Sequence, residues 1–142
     1  MRRGYTLIEL LAILAILGTL FALALPRTVN WRDRLAARRA AAEVRAFYAR
    51  ARYGALARSA RVRIELSSDS LVAVLEGAVD SVFLHRPGPR YLGVELEASR
   101  PVVRMDPGGF GGGAANTKLI LRRGSAAESL TVSRMGRIKW WP

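Results

Sequence analysis

The chain has 142 residues, no cysteine, one histidine and a formal net charge of +12, from 23 basic and 11 acidic side chains. That excludes a disulfide clamp, metal–thiolate sites and cysteine nucleophiles, and it leaves room for one small domain with its own core. The positive charge is almost entirely arginine, Lys118 and Lys139 being the exceptions, and it points either to an anionic partner or to arginine-rich solvated faces.

Tyr5 to Leu25 is a 21-residue apolar run in which Glu9 is the only charge. As a helix it would be about 31 Å long, enough to cross a bilayer core. Arg2 and Arg3 ahead of it would keep the amino terminus cytoplasmic, so the rest of the chain would be exported. A carboxylate in such a run costs about 2.5–3.5 kcal/mol and normally persists because it pairs with something. No partner for Glu9 is evident in the uncleaved sequence. A secretory signal peptide would end a shorter run in a small-residue cleavage site. Here Leu25-Pro26 ends the run, and Gly4 stands immediately before it.

Gly4-Tyr5-Thr6-Leu7-Ile8-Glu9-Leu10 resembles the processing site of type IV prepilins and type II secretion pseudopilins, with tyrosine in place of the usual phenylalanine. The resemblance implies that a prepilin peptidase cuts between Gly4 and Tyr5 and methylates the new amine. Glu9 would become the fifth residue of the mature chain and pair with the amine of a neighbouring subunit in a filament. Pro26 matches the family's proline, and it should kink the helix where it leaves the membrane.

From Trp31 to about Ala60 the pattern is helical. Ala37, Ala41, Val44, Tyr48, Ala51 and Ala55 form one face, with Phe47 and Leu56 close by, suited to packing on a sheet. Arg34, Arg38, Arg45 and Arg52 share a stripe about 100° from that face. The stripe reads as a solvated flank or, alternatively, as an inter-subunit or anion-binding face.

At Arg61 the period becomes two: Val62, Ile64 and Leu66 alternate with Arg63, Glu65 and Ser67. Ser68-Asp69 turns the chain into Leu71–Leu75, making a hairpin, and Val79–Leu84 is a third apolar segment. His85-Arg86-Pro87-Gly88-Pro89 breaks the pattern. Tyr91–Leu96 and Pro101–Met105 read as two more strands, with Pro101 at a first position or an edge. Asp106–Thr117 is a flexible glycine-rich loop without the Lys-Ser/Thr of a phosphate-binding loop. Lys118–Arg122 and Ser129–Ser133 flank Gly124–Glu128 as a hairpin with a longer loop.

Ser133-Arg134-Met135-Gly136-Arg137, following a strand, an Asp-Pro-Gly loop and a hairpin, is similar to the GspH/FimT group of minor pilins and pseudopilins. Periodicity and resemblance agree on an α+β fold, a long N-terminal helix (transmembrane half plus amphipathic half) packed on an antiparallel β-sheet domain. The expected organisation is a leader at 1–4, a transmembrane and assembly helix at 5–29, and a periplasmic pilin-like domain at 30–142. Within that domain an amphipathic helix covers about 31–60 and β structure 61–142.

An enzyme lacks its parts. His85 sits in a proline–glycine segment with no nucleophile partner, and Glu76, Asp80, Glu95, Glu97, Asp106 and Glu128 are scattered, without calcium-loop spacing. No cofactor or metal is expected. Arg134, Arg137 and Lys139 beside Trp140 and Trp141 are the better candidate, because cations next to aromatics suit a phosphate backbone with stacked bases. The alternative is that Ile138 and a tryptophan are core and the cations merely solvated. Gly136-Arg137-Ile138-Lys139 resembles the carboxy-terminal Gly-Arg-x-Arg of FimT-like minor pilins that bind DNA in natural transformation. Lysine in the last position keeps the charge but not the forked donor geometry.

The resemblance implies a structural subunit of a type II secretion pseudopilus or a type IV pilus, inserted in the inner membrane. Its partners would be the prepilin peptidase, other pilin or pseudopilin subunits and an inner-membrane assembly platform. The alternative is a DNA-binding minor pilin acting in DNA uptake.

Overall fold

The computed structural model describes residues 6–112 and 116–141, the side chains of residues 23–27 excepted. One helix, α1 (Leu7–Arg58), runs through two compact units that divide between Arg32 and Asp33.

In the first unit α1 starts with a reciprocal cap. The Thr6 amide and hydroxyl donate to the Glu9 carboxylate at 2.8 and 3.0 Å, and the Glu9 amide donates to the Thr6 hydroxyl at 3.3 Å. This is a capping box, Thr-x-x-Glu, which satisfies amides that the first helical turn leaves open. It corrects the expectation that Glu9 lacks a partner before cleavage: the residue three positions upstream supplies one. Leu7, Ile8, Leu11, Leu14 and Phe21 stand exposed around the helix. No helix among the described residues is long and apolar enough to cross a membrane. The described apolar side chains, Leu7 to Ala22, cover about 24 Å of helix. The remainder of the expected span, Tyr5 and the side chains of residues 23–25, lies outside the described residues, as do Gly4 and the side chain of Pro26. The helical assignment is unbroken at Pro26, and the kink stays an expectation.

In the second unit α1 buries Ala37, Ala41, Val44, Tyr48, Ala51 and Ala55, as the periodicity predicts, together with Ala40 and Phe47. Leu56 stays half exposed. The strands are β1 (Arg61–Leu66), β2 (Ser70–Glu76), β3 (Ser81–Pro87), β4 (Glu95–Ala98), β5 (Val102–Met105), β6 (Gly111–Gly112), β7 (Thr117–Arg123), β8 (Ala126–Val132) and β9 (Ile138–Trp141). They make two antiparallel sheets, ordered β3-β2-β1-β5-β6 and β4-β7-β8-β9. Val62, Ile64, Leu71, Ala73 and Met105 from the first and Leu119, Leu121, Leu130 and Val132 from the second share one core with the helix.

Four expectations are corrected. β3 continues through His85 and Arg86, which pair with Val72 and Leu71. Pro87 is tolerated there because it closes an edge strand, where its missing amide costs no ladder bond, and His85 is an exposed strand residue. Pro89–Leu92 is a 3₁₀ turn closed by Gly93 at φ 68°, so no strand starts at Tyr91. Gly111 and Gly112 pair with β5, so the glycine-rich segment is partly ordered, while residues 113–115 lie outside the description. The β7–β8 hairpin closes on Gly124-Ser125, with Arg123 opposite Ala126. Gly124 at φ 53° provides the positive φ that a two-residue hairpin turn requires. The shorter turn moves Glu128 from a loop into β8.

The Tyr48 hydroxyl is buried beneath the helix and has no hydrogen-bond partner among the described residues. Burial pushes its pKa up to about 12, with the Arg52 charge opposing. Tyr48→Phe should therefore be neutral or stabilising by about 1 kcal/mol at pH 8, since it removes a polar group that pays desolvation for no bond. The folded state holds the phenolic proton more tightly than the unfolded chain. That contribution is complete below pH 10 and is lost as pH rises from about 10 towards 12, by up to about 3 kcal/mol. Denaturant unfolding at pH 8 and pH 11 should show this extra alkaline loss in the wild type and not in Tyr48→Phe. An equal loss in both proteins would refute the account.

Candidate interaction surface

The alternation of β8 turns Ala126, Glu128, Leu130 and Val132 inward, and this makes Glu128 a buried carboxylate, 6% exposed. A charge so placed needs donors. Arg38 Nε donates to Glu128 Oε1 at 3.3 Å and Trp140 Nε1 to Oε2 at 2.8 Å. One arginine of the predicted stripe and one tryptophan of the carboxy-terminal pair are thereby fixed to the core. Trp140 is half-buried, whereas Trp141 is exposed on the opposite face of β9, with Lys139 Nζ 3.7 Å from its ring centroid. That is cation–π distance.

The Ser133–Gly136 turn is equally constrained. Gly136 lies at φ 69°, and a Cβ there would come within 2.2 Å of the Gly109 carbonyl oxygen. Arg52 Nε donates to that same carbonyl at 3.0 Å, and the Gly111 amide donates to the Arg134 carbonyl at 2.8 Å. Two glycine turns thus meet backbone to backbone with an α1 arginine between them. The Asp-Pro-Gly-Gly segment is a docked turn.

This docking disperses the residues that the sequence placed together. Arg137 joins Arg45, Arg52 and Tyr53 in an open groove beside α1. Arg134 joins Arg100 and Arg104 around a crevice of about 40 Å³ at the seam of the sheets, which Tyr48 of α1 also lines. Lys139 and Trp141 face outward from the second sheet, and Trp140 faces inward. Sequence reasoning missed Lys118 and Thr131. Register sets Lys118, Thr131 and Lys139 in one row across β7, β8 and β9, and Ile120, Ser129 and Trp141 in the next. Both lysines of the chain therefore lie on one sheet face. Only strand pairing reveals this, since they are far apart in sequence.

The other candidates resolve into structure. Glu76 and Asp80 take Arg63 at 3.5 and 2.9 Å, Glu76 also takes Arg104 at 3.1 Å, and Glu97 lies 3.9 Å from Arg122. No group of three His, Asp or Glu side chains among the described residues converges to hold a metal.

Residues 1–25 match the family model of the prokaryotic N-terminal methylation motif. No curated protein sequence matches the chain. Two crystal forms of the type IV minor pilin FimU of Pseudomonas aeruginosa are similar in structure, each at 15% identity. The first has a TM-score of 0.65 over 75% of this chain and 88% of that one, the second 0.61 over 74% and 92%. At such identity the likeness is one of fold: a long helix on antiparallel sheet, as in pilins.

The tandem tryptophans should differ sharply. Trp140→Ala removes half-buried packing and a donor to buried Glu128, and should cost about 2–4 kcal/mol. Trp141→Ala should stay within about 0.5–1 kcal/mol, as an exposed site does. Thermal unfolding of the full chain in detergent compares them; similar losses would overturn the assignment of the two faces.

Proposed function

We propose that the chain is a structural, non-enzymatic subunit of a pilin-like filament, a minor pilin or pseudopilin anchored in the inner membrane. A prepilin peptidase cuts it after Gly4 and methylates Tyr5, and it assembles into a type II secretion pseudopilus or a type IV pilus. The observation that carries this reading is the union, in one chain, of a methylation motif over residues 1–25 with a domain of pilin fold. The motif gives the carboxylate in the apolar run a role beyond its cap: on assembly Glu9 also pairs with a neighbour's amine through a charge-assisted bond, and that directional contact fixes axial register. Pro26 is the point where the helix bends on leaving the membrane.

Co-production with a prepilin peptidase tests this directly. Mass spectrometry should find N-methylated Tyr5 as the first residue of the wild type and the intact leader on Gly4→Val. Glu9→Ala should be processed and yet missing from sheared filaments. An uncut wild-type chain, or Glu9→Ala filling filaments normally, would count against the proposal.

A second reading is a DNA-binding minor pilin for DNA uptake. What favours it is the exposed Lys139–Trp141 pair in the same face as Lys118, with Arg137 beside Arg45 and Arg52. Phosphate contacts weaken steeply between about 50 and 200 mM salt. On this reading the full chain binds single-stranded DNA with that salt dependence, and Arg137→Ala/Lys139→Ala lowers affinity at least tenfold. Weak binding that ignores the substitution leaves the filament role alone.

A further inference from the structure

On the flank of the second unit, α1 and the end of β3 enclose a groove of about 460 Å³, the size of a ligand cleft. Its apolar floor is built from Phe47 and Leu71, both 3% exposed, and Pro87 forms part of the wall. Tyr91, from the 3₁₀ turn, forms one end. Its hydroxyl donates to Glu43 at 2.5 Å, and Glu43 also takes Arg39 at 3.1 Å. The one carboxylate at the groove is thus already matched.

Arg50 and Arg86 are not matched. Both line the groove and are exposed, and neither has an ion pair or side-chain hydrogen bond among the described residues. Arg86 is paired with Leu71 across β2 and β3. Opposed residues of an antiparallel pair share a face, so its side chain stands on the side of the sheet that α1 covers. A charge pointing inward at a sheet edge also deters strand addition; that role alone would not require a second free arginine across an apolar floor. Two like charges over one hydrophobic trough favour an anion with an apolar body. A second copy is disfavoured as occupant, because the chain carries +12 and like charges repel.

We propose that this groove binds an acidic segment of a partner protein, seating an apolar side chain on Phe47 and Leu71 and its flanking carboxylates on Arg50 and Arg86. The site is reached without reference to filament assembly and stands apart from Arg137, Lys139 and Trp141.

The test uses the full chain in dodecyl maltoside and three capped peptides: acetyl-Glu-Phe-Glu-Leu-amide and its Gln and Lys counterparts. Calorimetry should show the Glu peptide binding at least tenfold more tightly than the Gln peptide, with the Lys peptide weakest. Arg50→Gln/Arg86→Gln should abolish that preference, whereas Arg34→Gln/Arg100→Gln, an equal loss of charge elsewhere, should preserve it. Arg50→Glu/Arg86→Glu should transfer binding to the Lys peptide, a gain that unfolding cannot mimic. The proposal falls if no peptide binds, if the Gln and Glu peptides bind alike, or if both double glutamine variants lose binding equally. The last result would mark attraction to net charge alone.

Discussion

The β structure depends on how closely one helix can approach two separate sheets. Ala37, Ala40, Ala41, Ala51 and Ala55 make that approach possible, since each is buried and none carries a side chain beyond Cβ. Val44, Phe47 and Tyr48 then fill the middle of the core. Larger residues at the alanine positions would overpack this face, and interiors tolerate that poorly. Apolar contact alone does not fix the rotation of a helix on a sheet. Two directional contacts do so here: Arg38 to Glu128 of one sheet, and Arg52 to Gly109 of the turn that follows β5 of the other. They lie about 21 Å apart along the helix axis, which resists rotation better than either could alone.

This sorts the arginines into kinds. Arg38, Arg52 and Arg63 are structural, each holding a carboxylate or a carbonyl against the fold. Exposed pairs such as Arg90–Asp69 contribute little, as surface ion pairs usually do. Arg50, Arg86 and Arg137 have no acidic partner among the described residues, and each lines a groove. A composition rich in arginine explains why cations are plentiful. It does not explain why Arg50 and Arg86 line one groove.

The helix face and the β1–β2 hairpin were legible in the sequence because periodicities of 3.6 and two report directly on which side is covered. Edge and turn chemistry was not. Pro87 looks like a terminator until β3 proves to be an edge, and Gly124 looks like the start of a long loop until its positive φ is known. The carboxy-terminal residues are spread over different faces for a related reason. Neighbours in a strand point to opposite faces, and the Gly136 turn redirects the chain just before β9, so adjacency in sequence became separation in space. Glu128 left no local signal, since its donors come from α1 and β9.

Glu9 carries a parallel lesson at the other end of the chain. The capping box engages one oxygen of its carboxylate, Oε2, which accepts from both the Thr6 amide and the Thr6 hydroxyl. A carboxylate has acceptor sites on both oxygens, so a neighbouring subunit's amine can be added at Oε1. On the proposed assembly, the intermolecular bond therefore adds to an existing cap and does not rescue an orphan charge. The net gain is the difference between a carboxylate held by the cap alone and one held by the cap and an amine, both through charge-assisted bonds. Such a difference is smaller than the burial cost of a bare carboxylate would be. The cap lets Glu9 be satisfied in the monomer before any neighbouring helix packs beside it.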